Sequence, residues 1–125
     1  MNLAAVPVFF APEMIARPGA TYSPSAAKPG AVVARWRAAG LPVDVLRPTP
    51  VAIDDFTRVH DARYVRDVLA LRVANGFGDR SAEVAASLCF TSGSMLAAAR
   101  AARASGAVAC APCSGFHHAG WGAGG

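Results

Sequence analysis

Ala107-Val108-Ala109-Cys110, running into Ala111-Pro112-Cys113-Ser114-Gly115-Phe116-His117-His118-Ala119-Gly120, is the stretch on which the reading of this chain turns. The first four residues are short and continuously apolar, the pattern of a strand buried on both faces. Two adjacent imidazoles then stand in a loop between Gly115 and Gly120. Neighbouring side chains diverge in extended backbone, so both rings can serve one site only where the backbone bends. Glycine reaches such conformations at little cost. Histidine has the side-chain pKa nearest neutrality, which suits proton transfer, and polar loops at strand ends often carry function. The plain alternative is a pair of loop histidines with no role.

Working outward, the residues before this stretch alternate between strand and helix patterns. Ser81 to Ala104 reads as a long helix with Val84, Leu88, Met95, Ala99 and Ala102 on its inner side. Its Gly93, Ser94 and many alanines allow close approach of a neighbour, and Gly106 fits the position just past its end. Asp61 is an expected N-cap for a helix carrying Val65, Val68, Leu69 and Val73, which Asn75-Gly76 stops ahead of a Phe77-Gly78-Asp79 turn. Ile53, Phe56 and Val59 mark a shorter helix. Val43 to Leu46 reads as a strand closed by Pro48 and Pro50. Before it, a helix begins near Pro29 with Val32, Val33, Trp36 and Ala39 on one stripe. Val6 to Phe10 reads as a buried first strand, and a proline-rich loop from Ala11 to Pro29 follows it, long enough to suggest a functional or covering role. Such an alternation builds a parallel sheet covered by helices, with ligands bound beyond the carboxyl ends of the strands. Both the proline-rich loop and the His-His loop leave such ends.

A chain of 125 residues is enough for one domain. Apolar residues make up 54% of it and charged residues 16%, which excludes a disordered chain, although alanine swells the apolar share. The net charge of +4 comes from arginines spread along the chain. No basic run with interleaved aromatics appears, so no nucleic-acid partner is expected. The N-terminal apolar run has no preceding cation and is interrupted by Pro7, unlike a targeting sequence. No apolar run approaches the roughly 20 residues that span a bilayer. Three cysteines make no disulfide framework, and a cytoplasmic setting is expected.

A strand followed by Pro-x-Ser-Gly-Phe-His-His-Ala-Gly resembles the tandem-histidine motif of the histone deacetylase superfamily, which includes bacterial acetylpolyamine amidohydrolases and acetoin-utilisation proteins. Val59-His60-Asp61-Ala62-Arg63-Tyr64-Val65 and the Gly93-to-Ala99 stretch agree with it. The first loop departs from it: the family usually opens there with a His-Pro-Glu-Arg type segment, and this chain has Tyr22-Ser23-Pro24-Ser25-Ala26-Ala27-Lys28-Pro29. The resemblance implies a three-layer α/β/α domain with a parallel sheet, the arginase–deacetylase fold, of which residues 1–125 would be the N-terminal part. It implies a zinc-dependent hydrolase that removes acetyl groups from an acetylated lysine or small amine, with His117 and His118 as the proton-transfer pair. Gly115, Phe116 and Asp79 would fall at substrate-binding positions. Read from the residues alone, Asp79 is a cap for the following helix and Phe116 a packing residue. The family's zinc ligands, an Asp-x-His and a later Asp, have no counterpart in these residues, so Zn(2+) is expected only for a complete domain. Residues 1–125 alone would then be inactive, and oligomeric or associated with the rest of the domain.

Two other readings stand beside this one. Cys110-Ala111-Pro112-Cys113 with His117 and His118 could bind zinc directly, although Cys110 sits on the buried strand and a single Cys-x-x-Cys is a weak signal. The chain could also be a non-catalytic or truncated module that binds a partner through an exposed sheet edge. His60 reads as a structural histidine between two helices.

Overall fold

Strand β1, Val6–Phe9, lies parallel to β2, Val43–Leu46, with Val6 opposite Val43 and Phe9 opposite Leu46. In this computed structural model residues 4–17, 24–113 and 119–123 are described. On the other side of β1, Cys110 forms a parallel bridge to Val8, which gives the order β2, β1, Cys110. The expected third strand over Ala107 to Cys110 thus reduces to one bridge, and Pro7 supplies the reason. Residues along a strand address alternate neighbours: Val6 and Phe10 donate their N–H groups toward β2 (to Pro42 O and Leu46 O), whereas Phe9 donates to Cys110 O. Position 7 therefore faces the Cys110 side, where proline has no N–H to give. Its carbonyl still accepts from Cys110 N at 2.9 Å, but the ladder goes no further back, and Val108 is left 72% exposed.

In the proline-rich segment after β1, buried and exposed residues alternate over 11–17. Ala11, Met14 and Ala16 are buried around a 3-10 helix at Pro12–Met14. Ala16 N–H donates to Ala26 O, and both alanines pack with Val84 and Phe77. A second 3-10 turn, Pro24–Ala27, leads into helix α1, Lys28–Ala38. Pro29 takes the second helical position; Val33 is buried, Val32 and Trp36 are half-buried, and Ala39 is an exposed C-cap.

Helices α2, Ile53–Phe56, and α3, Ala62–Leu69, follow β2. Asp61 caps α3, its Oδ1 accepting from Tyr64 N at 2.9 Å. The helix stops six residues before the expected Asn75-Gly76 boundary. Arg72 N–H donates to Asp67 O and Leu71 N–H to Val68 O, the paired bonds of a Schellman motif, with Leu71 at φ 59° where glycine is usual. Val73 therefore lies beyond the helix.

Helix α4, Ala82–Ser105, packs against β1 and the first 3-10 helix. Ser81 caps it and Gly106, at φ 67°, ends it. Its inner face agrees with the expected one in part, with Leu88 and Ala102 half-buried. Val84, Ala85, Ser87, Gly93, Ser94 and Ala98 are buried, while Met95 is 56% exposed and Ala99 is exposed. Close approach of backbone selected the small residues over the large ones. Ser94 Oγ donates to Phe9 O at 2.5 Å, and Gly93 lies against Thr49 and Pro50. By length and composition, α4 is also long and apolar enough to cross a membrane, with mean hydropathy 1.3 over 18 residues, against the reading of runs given above. One third of that window is buried inside the protein.

Candidate functional site

The bridge at Cys110 carries the chain to the carboxyl end of the sheet beside β1, where Ala111, Pro112 and Cys113 are half-buried. Gly115, Phe116, His117 and His118 lie outside the described residues. The segments that bracket them are described, and both meet one cavity. Cys113 on one side and Ala119 on the other line a space of about 260 Å³, together with Met14, Phe77, Ser87 and Met95. Those residues come from the proline-rich segment, the 75–81 turn and α4; of these, the sequence pattern sets only the proline-rich segment at a strand end.

The residues after the tandem histidines are held by the start of α3. His60 Nδ1 stands 2.8 Å from Gly120 O. A carbonyl oxygen carries no proton, so the ring must donate through Nδ1–H. Asp61 N–H donates to Trp121 O at 2.7 Å, and Gly120 N–H donates to Ala123 O at 2.7 Å, closing a tight turn. The His60 ring meets Tyr64 edge-on with centroids 6.1 Å apart. A second cavity of about 160 Å³ lies here, lined by His60, Tyr64, Val68, Asn75, Ser92 and Ala119. His60 is therefore not merely placed between two helices. Its partner is 60 residues away, and adjacency in sequence carries no trace of such a contact.

Asp79 shapes its own turn. Its Oδ1 accepts from Asn75 Nδ2 at 2.6 Å and from Ser81 N at 2.9 Å, and Asn75 N–H donates to Asp79 O. Ser81, not Asp79, makes the N-cap bond of α4, accepting from Val84 N. Asp79 Oδ2 is buried without a hydrogen-bond partner among the described residues. Buried Asn75, read from the sequence only as a helix stop, also accepts from Phe77 N, and with Asp79 it fixes the rim of the cavity that Phe77 lines. The Asn-Gly-Phe-Gly-Asp spelling of this turn was the available signal.

Two exposed ion pairs tie the proline-rich segment down. Arg17 donates through its backbone N (2.8 Å) and through Nε and Nη2 to Glu83 at the start of α4. Arg47, just after β2, makes a fork to Glu13 and lies over the Phe90 ring at 5.2 Å. Hydrogen bonds from these guanidinium groups hold the Glu13 and Glu83 carboxyls below the usual carboxylate range.

All three cysteines are free. Burial pushes the Cys113 thiol up, its own backbone N–H opposes this, and neighbouring Cys110 adds to it. Burial also pushes up Cys89 and Cys110. These environments favour the thiol over the thiolate that a metal needs. Among the described residues no three His, Cys, Asp or Glu side chains gather to hold a metal. The zinc implied by the resemblance finds no ligand set there. In comparison with known proteins, no family model matches the chain, and no curated protein matches it significantly.

Proposed function

We propose that this chain carries the proton-transfer part of a deacetylase-type hydrolase, with His117 and His118 acting on an acetylated lysine or small amine at the cavity between Cys113 and Ala119. The observation that supports this is the placement of the loop's two anchors. The parallel bridge at Cys110 delivers one to the carboxyl end of the sheet, and the His60–Asp61 clamp holds the other. Cys113 and Ala119, next to these anchors, line one mainly apolar cavity, which suits the acyl end of such a substrate.

In this reading one imidazole takes a proton from the attacking water and the pair returns a proton to the leaving amine as the acyl C–N bond breaks, giving acetate and a free amine. Metal in such hydrolases polarises the carbonyl and the water; the described residues do not form its site, and no step is routed through it. Phe116 and Gly115 would contact the substrate, as the resemblance implies. Asp79 supports the rim through the 75–81 turn, since its Oδ1 is already engaged and its Oδ2 is shielded. The larger α/β/α domain, with zinc ligands on further strands, belongs to the same proposal. A second reading, an interaction module, draws on the apolar side chains left exposed at Leu41, Leu46, Met95 and Val108.

The test is acetate release from acetyl-lysine peptides and acetylated polyamines. Residues 1–125 alone should release none. In protein that joins them to metal-binding strands, His117→Ala and His118→Ala should each lower kcat by ~10²–10⁴-fold with little change in KM. Unchanged kcat in both variants would contradict the reading.

A further inference from the structure

We infer that the outer edge of β2 pairs with the same edge of a second copy of this chain, antiparallel and about a two-fold axis through Val45. The inference holds whether or not the chain is a hydrolase. Parity along β2 decides which backbone groups can pair. Val6 N–H reaches Pro42 O and Phe10 N–H reaches Leu46 O, so the even-numbered residues turn their groups toward β1. Val43 and Val45 turn theirs outward, and Arg47 N–H, in one peptide plane with Leu46 O, points the same way. Among the described residues no strand lies on that side. Val43 N–H is already given to Leu41 O at 2.8 Å, and Pro42 and Pro48 bracket the strand without a donor. The edge thus offers Val43 O, Val45 N–H, Val45 O and Arg47 N–H, none of them bonded to another described residue. Read antiparallel, that order is its own complement. A second copy turned about Val45 exchanges both Val45 bonds and matches each Arg47 N–H with Val43 O, which makes four hydrogen bonds. A register shifted by two residues leaves Val43 O or Arg47 N–H unmatched. The same pairing sets Val45 against its copy, a β-branched cross-strand pair, and Leu46 opposite Asp44 on the exposed face, where the carboxylate keeps its water. The molecule also has surface to cover. Its accessible area is 7735 Å², about 1,400 Å² more than a compact monomer of its mass, and a standard interface takes only about 800 Å² from each partner. The two-fold occupies the β2 edge of both copies, so this contact closes as a dimer.

Disulfide trapping reads this pairing on denatured protein, so the chain need not stay in solution. In the full 125-residue chain with Cys89, Cys110 and Cys113 replaced by alanine, Val45→Cys sets a thiol against its own copy. A mixture of Asp44→Cys and Leu46→Cys chains sets two thiols at the neighbouring pair. Directly opposed residues have Cα atoms about 4.5–5.5 Å apart, inside the range a disulfide spans. After oxidation with diamide, non-reducing denaturing electrophoresis should show about tenfold more dimer for Val45→Cys than for Val108→Cys, because only opposed thiols meet disulfide geometry. Val108 is the stricter control, being 72% exposed and away from this edge. The mixture should also trap well, and Asp44→Cys alone should trap little. Equal yields for Val45→Cys and Val108→Cys would overturn the pairing as general association. Asp44→Cys alone trapping as well as the mixture would overturn the two-fold register. Hydrogen exchange on the unsubstituted chain, quenched into denaturing acid and read by fragmentation mass spectrometry, checks the same edge without cysteine changes. The Val45 and Arg47 amides should be protected like those of Asp44 and Leu46, which face β1. Free exchange at Val45 and Arg47 would overturn the pairing whatever the trapping gives.

Discussion

Gly93 has no room for a side chain. A Cβ built there would lie 2.2 Å from Thr49 O and 3.0 Å from Pro50 Cα, and backbone on both sides cannot yield cheaply. Gly93→Ala should therefore destabilise the protein by about 1–3 kcal/mol, the cost of overpacking, measured by denaturant unfolding. Gly30→Ala provides the contrast. Its Cβ would meet Ile15 Cδ1 at 2.5 Å, the tip of a flexible and exposed side chain, so its cost should be clearly smaller. Equal losses in the two variants would contradict the close approach of α4 to the Thr49–Pro50 segment. At this scale the sequence announced a good deal. The run of small residues around Gly93 signalled a close neighbour, and Asp61 and Gly106 were readable as caps because capping depends on local spacing. The His60–Gly120 and Asn75–Asp79 bonds were not readable. The first joins residues far apart in sequence, and the second depends on which way one turn folds.

Helix α3 shows how an element is delimited by forces that a hydrophobic pattern does not display. The apolar spacing continues through Val73, but the chain leaves the helix after Leu69 through the left-handed Leu71, with Arg72 Nη1 3.2 Å from Asp67 Oδ1. Its start is ordinary, and Asp61→Ala should cost about 1 kcal/mol through the lost cap; Asp61→Asn should recover most of that in the same unfolding experiment. The third strand was over-read for a related reason: an apolar tetrapeptide suits a strand, but whether it pairs depends on Pro7 in its neighbour. The inner face of α4 was legible in part: Val84 is buried and Leu88 and Ala102 half-buried, as expected, but Met95 and Ala99 are exposed, because the face turned inward is the one where Gly93 and Ser94 admit neighbouring backbone. The ties from Glu13 to Arg47 and from Glu83 to Arg17 carry a pH signature. Both carboxyls are held below their ordinary value, so the unfolded chain binds more protons than the native one at acidic pH. Their contribution is fully present above the ordinary glutamate range and is lost as pH falls through it and below. Both pairs are exposed, so salt should weaken them too. Acid titration of unfolding should show a smaller acid-dependent loss in the double Arg17→Ala, Arg47→Ala variant than in the wild type. An unchanged acid slope would contradict the ties.

The whole molecule has more surface than its mass accounts for. Its accessible area is 7735 Å², against about 6,300 Å² for a compact monomer of this size. Leu41 just before β2, Leu46 at its end, Met95 and Leu96 on α4, Val108 and Trp121 are all exposed. Alanine accounts for much of the buried set, so the core is built from small groups and large apolar side chains remain outside it. Among the described residues the sheet consists of β1, β2 and one bridge, which neither supports nor excludes the fold class read from the strand–helix alternation. Surfaces of this kind seek cover, and residues 1–125 alone should associate or precipitate in sedimentation velocity. A monodisperse monomer with a sharp calorimetric melt would contradict that expectation. The central claim is that the two imidazoles share one proton-transfer task at a strand-end site, and its most direct measurement is turnover of the double His117→Ala, His118→Ala variant. This is to be made in protein that joins these residues to metal-binding strands. The account predicts that kcat falls by no more than about tenfold beyond the worse single variant, because both substitutions disable one step; full activity in the double variant would contradict it.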